Sequence, residues 1–318
     1  MKKLTLIASA VLGLSTLFAG TSSFAKTNEI AVIVKTENAN FWQNVKKGAE
    51  AAGKDLGNEY KVTFQGPQAE TAIDEEVNMV NNAINRGVSG IVLAASDPEA
   101  LIPPVKKAFE NGIPVVIIDS GINSDGKYYQ SFLATDNRAA GKLAAEKLLA
   151  KHGMKKGKVA VMSYTPGAAS AIERTGGFMD EVKKQQDIKL MEPLYSQSDM
   201  VTALNQTIDV LTSNPDLTAI FGANEPTAVG MARAIKERGF AGKLVAVGFD
   251  GNQDLQNFVR DGTLEGIVVQ SSYQMGYKGV NTINKIIKGE KVDKFIDTGV
   301  VFVTKDNIDS EEAKAVLY

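Results

Sequence analysis

Beyond its first 25 residues the chain alternates between short apolar runs and amphipathic stretches. The runs are IAVIV (30–34), KVTF (61–64), GIVLAA (90–95), PVVIID (114–119), SFLAT (131–135), KVAVMS (158–163), KLMEPLY (189–195), TAIFGA (218–223), KLVAVGF (243–249) and EGIVVQ (265–270). Several are apolar at nearly every position, as strands covered on both faces are. Helical patterns lie between them. Ile73, Val77, Val80 and Ile84 share one helical face. The stretch DNRAAGKLAAEKLLAKHG opens on the capping residue Asp136 and closes on Gly153. A third helix is predicted to begin on Asp199 and stop before Pro215. The alternation predicts an α/β fold with parallel sheets. The strands form two series of about five, so the expected architecture is two similar doubly wound lobes, although no residue-level repeat is visible.

Polar groups recur where these strands end: Lys35, Ser96, Asp119, Ser163, Asn224, Asp250 and Gln270. In open parallel sheets the carboxyl edge is where ligands bind. Two such edges facing each other make a cleft, with these groups on both walls. A polar residue that merely begins a loop explains any one position; the recurrence in both halves favours the cleft.

Composition narrows the class. At 318 residues, 44% hydrophobic and 23% charged, the chain is long enough for two globular domains. Its formal charge of −2 offers no basic field, so nucleic acid is not an expected partner. Lys2 and Lys3 precede an apolar run that ends in Ser23–Ala25, the form of a secretory signal over residues 1–25. The alternative, a membrane anchor, fits less well, because Ser and Gly interrupt a run already short for a bilayer. Cysteine is absent, so stability must come from a core, and the lipid attachment that needs a cysteine after the signal is not available. These features predict a soluble periplasmic protein.

Signatures of chemistry are sparse. The one histidine, His152, sits in the last turn of a helix, where partial positive charge suits the dipole. With no Cys and one His, neither a zinc site nor a nucleophilic triad is expected, and no phosphate-binding glycine loop is found. DGNQD (250–254) has the D-x-N-x-D spacing of a calcium loop, but Leu255 replaces its glycine and Asp261 its final Glu. No metal and no cofactor are therefore expected. Asp119 and Asp250 could form an acid/base pair as in a glycoside hydrolase, or act as fixed acceptors for hydroxyl groups, the favoured reading. Arg174, one loop beyond a strand end, could present its fork to two adjacent oxygens. Phe41 and Trp42, the sole tryptophan, follow the first strand; flat faces beside polar groups suit a polyol, which offers hydroxyls at its edge and C–H groups on its faces.

Together KTENANFW, PVVIIDS, ATDNRAAGK, IERTGGF, AIFGANE, VAVGFDG and IVVQSSYQMGYKGV resemble, in order and spacing, the type I periplasmic sugar-binding proteins, the ribose- and allose-binding group that serves ATP-driven (ABC) importers. The resemblance covers nearly all of the chain after the signal. It implies two lobes joined by a three-segment hinge, crossing near Ala134–Thr135, Gln270–Ser271 and Val300–Phe302. The lobes would then be 26–135 with 271–301, and 136–270 with 302–318. It also implies that Phe41 and Trp42 sandwich a sugar ring while Asp119, Arg174, Asn224, Asp250 and Gln270 hold its hydroxyls. Lys35 followed by Phe-Trp looks more like the allose binder than the ribose binder. Ala39-Asn40 stands where the ribose pattern has Asn-Pro before its aromatics, so a polar ligand group is lost at Ala39; Ser120 stands where it has Arg, and a further aromatic of that pattern falls near Ser198. The pocket, Ser120 included, is therefore expected to be reshaped, for a hexose, a ketohexose, a pentose other than ribose or a furanose-like signal molecule. The implied partners of a monomer are the sugar and the permease of an ABC importer, with a chemoreceptor left open. Sugar-regulated repressors share the fold but carry a DNA-binding segment where this chain has an export signal. An exported sugar-modifying enzyme is the rival reading.

Overall fold

In strand β1 (Asn28–Ile33), Ile30 and Val32 pack on one face of the sheet, Ala31 and Ile33 on the other, and all four are fully buried. A strand apolar on both faces must lie between layers of helices. The computed structural model, which describes residues 28–153 and 156–318, shows that layering twice. The expected export signal lies outside the described residues.

The chain first runs β1, α1 (Asn40–Leu56), β2 (Tyr60–Gln65), α2 (Ile73–Arg86), β3 (Gly90–Leu93), α3 (Ile102–Glu110), β4 (Val115–Ile118) and β5 (Ser131–Ala134). It continues through α4 (Asn137–His152), β6 (Gly157–Ser163), α5 (Ala169–Val182), β7 (Ile188–Leu190), β8 (Leu194–Tyr195), α6 (Met200–Ser213), β9 (Leu217–Gly222), α7 (Glu225–Glu237), β10 (Val245–Phe249), α8 (Gln253–Arg260) and β11 (Gly266–Gln270). It ends with α9 (Ser272–Ile287), β12 (Phe295–Asp297), β13 (Val300–Thr304) and α10 (Glu311–Lys314). The first sheet has the order β2-β1-β3-β4-β5-β12 and the second β7-β6-β9-β10-β11-β13. Numbered within its own lobe, each is the doubly wound order 2-1-3-4-5 with one added edge strand; in the second sheet the short β8 also pairs with β6, following β7 along the same edge. Asp136 and Asp199 cap α4 and α6 with their side chains, and Gly153 ends α4 with φ +71°.

The chain passes between the sheets after β5, after β11 and at Thr298–Gly299. The last passage precedes the expected Val300–Phe302, because Val300 already pairs with Gln270 in the second sheet. Gly299, at φ +75° with its N–H on Asp297 Oδ1, makes the turn. Strands β12 and β13 were not among the runs singled out above, although β13 carries the apolar run Val300–Val303, and β13 runs antiparallel to β11 at the sheet edge. The run KLMEPLY splits into β7 and β8, with Pro193, which lacks an N–H, in the gap.

In each lobe, glycines bring two helices beside the hinge together. A Cβ on Gly48 or Gly276 would strike the backbone carbonyl of Tyr273 or Val45 between α1 and α9; one on Gly141 or Gly177 would strike that of Arg174 or Arg138 between α4 and α5. The carbonyl facing Gly141 belongs to a candidate site residue, so this packing also seats Arg174. Gly141→Ala should lower stability by about 1–3 kcal/mol through overpacking, whereas the neighbouring exposed Lys142→Ala should change it by less than about 0.5 kcal/mol; urea titration of both variants checks the contrast.

Candidate functional site

Strand order reverses between β1 and β3 in the first sheet and between β6 and β9 in the second, the points at which ligand crevices open. The fourth strand of each lobe ends in the same device. Asp119 follows β4 with φ +60° and gives its N–H to the Leu133 carbonyl at 3.0 Å; Asp250 follows β10 with φ +74° and gives its N–H to the Val268 carbonyl at 2.8 Å. A non-glycine residue held in the left-handed region costs about 1–3 kcal/mol, a strain that concentrates at functional sites. Aspartate tolerates it better than most residues.

The two aspartates belong to a buried charge cluster between the lobes. Lys35 Nζ lies 2.8 Å from Asp119 Oδ2 and donates at 3.2 Å to Ser170 Oγ of the second lobe. Burial pushes the Lys35 ammonium pKa down, but the fields of Asp119 and then Glu70 outweigh it, and the net direction is up. Arg174 lies 3.7 Å from the Phe249 ring centroid; it donates to the Ala223 carbonyl at 2.7 Å and twice to Asn137 Oδ1, at 3.1 and 2.6 Å. Asp250 accepts from Gln270 Nε2 and from the Glu225 N–H, both at 2.8 Å. Burial raises its carboxyl to about 6, against the opposing pull of Arg174. Gln270 Oε1 is buried without a hydrogen-bond partner, an acceptor on a cavity wall awaiting a donor.

Two further carboxylates complete the cluster. Glu70 accepts from Trp42 Nε1 at 3.2 Å and from Ser198 Oγ at 2.6 Å, and Ser198 also accepts from Asn224 Nδ2 at 3.0 Å. Glu225 accepts the Asn40 N–H and the Tyr318 hydroxyl, both at 2.9 Å. Burial, then the charge of Asp250, pushes Glu225 up to about 7.

These groups surround a small interlobe cavity. Of the residues singled out from sequence, Lys35, Phe41, Trp42, Asp119, Arg174, Asn224, Asp250 and Gln270 line it. Ser120 does not: its Oγ accepts the Ser170 N–H at 3.2 Å and ties the lobes together behind the wall. Phe41 and Trp42 do not form the two plates of a sandwich. Successive positions on the first turn of α1 hold their rings at 88° with centroids 4.8 Å apart, leaving no room for a sugar between them; they make one wall, and the second lobe supplies Tyr164 and Arg174. Ser96 and Ser163 do not line it either: the Ser96 N–H donates to Glu76, and the Ser163 hydroxyl bonds that of Thr175. The calcium-like spacing is otherwise engaged: Asn252 caps α8 and Asp254 pairs with Arg233.

Glu70, Tyr164, Ser170, Glu225 and Tyr318 were not singled out from sequence. Tyr164 and Glu225 directly follow Ser163 and Asn224, so extending the strand-end pattern by one residue reaches both. Glu70 and Ser170 sit in or after loops, and Tyr318 arrives from far along the chain, where no local pattern signals them.

A family model described as "Periplasmic binding protein domain" matches residues 30–291. The D-allose-binding periplasmic protein of Escherichia coli (strain K12) is 31% identical over 91% of this chain and 96% of its own length. The ribose import binding protein of the same organism is 32% identical over 96% of this chain and 99% of its own length. Among solved structures, an ABC transporter solute binding protein from Agrobacterium vitis with bound D-fucose is 64% identical, covers 92% of this chain and all of its own, and superposes with a TM-score of 0.89. A carbohydrate transporter solute binding protein from Agrobacterium radiobacter in complex with D-arabinose is 37% identical, covers 92% of this chain and 99% of its own, with a TM-score of 0.87.

The raised carboxyls set a pH dependence. Glu76, buried under the first lobe with Oε1 unpartnered, is pushed by burial to about 7; Glu225 stands at about 7 and Asp250 at about 6. A carboxyl raised on folding contributes stability that is fully present below its unfolded value, near 4, and lost as pH rises through its folded value. The melting temperature without sugar should therefore fall by several degrees between pH 5.5 and 8. Glu76→Gln, which removes one titrating group that does not line the cavity, should flatten that slope; a melting temperature that rises across this window contradicts the assignment.

Proposed function

The chain belongs to the periplasmic binding protein family, and from that premise we propose that it is the sugar receptor of an ABC importer, closing two lobes over one monosaccharide and presenting the closed form to a membrane permease. The observation that carries this is the balance of the interlobe cluster. Two cations, Lys35 and Arg174, face four carboxylates, Glu70, Asp119, Asp250 and Glu225, and Gln270 adds an unpartnered acceptor. An excess of fixed acceptors suits a neutral polyol, whose hydroxyls donate without adding charge. Lys35, Arg174 and Asn224 supply donors for its remaining oxygens, and Phe41 and Trp42 supply an apolar wall.

The ligand is a pyranose between pentose and hexose in size. D-Fucose is the first candidate, supported by the sugar bound to the 64% identical relative and by Ala39, Phe41, Trp42 and Pro226, which offer an apolar patch for a methyl group. Both cleft aspartates are held by fixed donors, and among the described residues no His lines the cavity. The protein accordingly binds and releases sugar without altering it. It works as a periplasmic monomer, and a chemoreceptor can read the same closed form.

A calorimetric panel of D-fucose, D-galactose, D-arabinose, D-allose, D-tagatose and D-ribose should rank D-fucose or D-galactose first and ribose below them, because the polar residue of the ribose pattern is lost at Ala39 on the cavity wall; ribose in first place refutes the ligand assignment. Asp250→Ala should lose about 2–5 kcal/mol of affinity, the cost of removing a buried charged partner, and affinity within threefold of the parent removes Asp250 from the site. Trp42 emission should change on binding and saturate at one sugar per chain. Because Trp42 packs in the core as well as on the wall, Trp42→Ala should lower both affinity and melting temperature.

A further inference from the structure

Helix α1 starts without a cap of its own. Its N-cap residue is Ala39, no side chain accepts there, and its first turn carries no acidic residue. A helix start leaves N–H groups unsatisfied and carries a partial positive charge. The acceptor comes from the opposite lobe: Glu225 Oε1 takes the Asn40 N–H at 2.9 Å. Glu225 is fixed within its own lobe. It opens α7, its N–H donates to Asp250 Oδ2 at 2.8 Å, and its other carboxylate oxygen accepts the Tyr318 hydroxyl at 2.9 Å. Tyr318 docks through its N–H on the Gly251 carbonyl and through its carbonyl on Gln256 Nε2, both at 3.2 Å.

We propose that Glu225 is the latch of the cleft: a carboxylate carried by the second lobe that caps α1 of the first lobe when the two meet, with Tyr318 as its positioning residue. This rests on the reading that the lobes close over a sugar. Of the other ties between the lobes, Lys35–Ser170 and Glu70–Ser198 end on side-chain hydroxyls, and a sugar can offer the same group in their place; Ser120 takes the Ser170 N–H behind the wall, but with a neutral hydroxyl. The Glu225 tie ends on a backbone N–H at a helix start. A neutral hydroxyl there does not replace the charge that complements the dipole. Opening the lobes therefore uncaps a helix, and the closed form holds a contribution that does not depend on which sugar is inside.

The absence of cysteine gives a direct test. Asn78→Cys and Asn257→Cys place two unique spin labels at exposed positions on opposite lobes, and pulsed electron paramagnetic resonance then reads the interlobe distance with and without saturating D-fucose. With the distances read at pH 8, above the raised value of the Glu225 carboxyl, removing a charged hydrogen-bond partner is expected to lower the closed-to-open ratio about 10-fold in Glu225→Ala. Tyr318→Phe should move it in the same direction by less, and Glu225→Gln, which keeps an acceptor but no charge, should fall between parent and Glu225→Ala. With sugar, the dissociation rate should rise by a similar factor in Glu225→Ala while the association rate holds, since the latch forms after encounter. Circular dichroism and melting curves establish that each variant is folded; if Glu225→Ala is not, Glu225→Gln and Tyr318→Phe decide. Unchanged distance distributions and dissociation rates in the folded variants overturn the latch. If no sugar in the panel binds, the receptor reading fails, and the distances measured without sugar still judge the latch.

Discussion

Six charged side chains lie buried between the lobes, Lys35, Glu70, Asp119, Arg174, Asp250 and Glu225, none more than 7% exposed. A buried charge without a partner costs several kcal/mol, and the lone partner left behind costs as much. Each of these groups is held by at least one donor or acceptor, and much of the pairing crosses the cleft or runs through it. Three of these ties, Lys35–Ser170, Asn40–Glu225 and Ser198–Glu70, form only with the lobes together. With four carboxylates against two cations, it is also over-supplied with acceptors, which is why burial leaves Asp250 near 6 and Glu225 near 7. Hydroxyl donors relieve that excess without importing a counter-charge.

The backbone prepares this cluster twice over. Each lobe ends its fourth strand in a left-handed aspartate whose N–H is tied to the fifth strand. Each lobe also brings two helices into close contact through glycines. In the second lobe that contact places Arg174 over Phe249 and under the Ala223 carbonyl, so the guanidinium is oriented by packing before any sugar arrives. Orientation fixed in advance reduces the entropy lost on binding.

Much of this was legible in the sequence because parallel strands have a strict grammar. Runs apolar on both faces marked buried strands, and the polar residue at each end marked the cleft edge, which placed Lys35, Asp119, Asn224, Asp250 and Gln270 around one cavity. The same rule failed at Ser96 and Ser163, whose neighbours Glu76 and Thr175 divert them, a tertiary fact invisible along the chain. The paired aromatics were read as two plates; helix geometry at Phe41–Trp42 makes them one wall. Glu70 and Tyr318 escaped because their partners, Ser198 and Glu225, lie 128 and 93 residues away. Strand β12 escaped because it is three residues long, mostly exposed and carries no apolar run; β13 does carry one, Val300–Val303, so the pattern reaches it once runs of four are admitted.

The central claim is that one sugar draws the two lobes together. Small-angle X-ray scattering with and without a saturating concentration of the sugar that calorimetry ranks first tests it most directly. The account predicts a smaller radius of gyration with sugar, and a scattering profile at saturation that matches the closed arrangement described above. A radius unchanged by a sugar that demonstrably binds would contradict it.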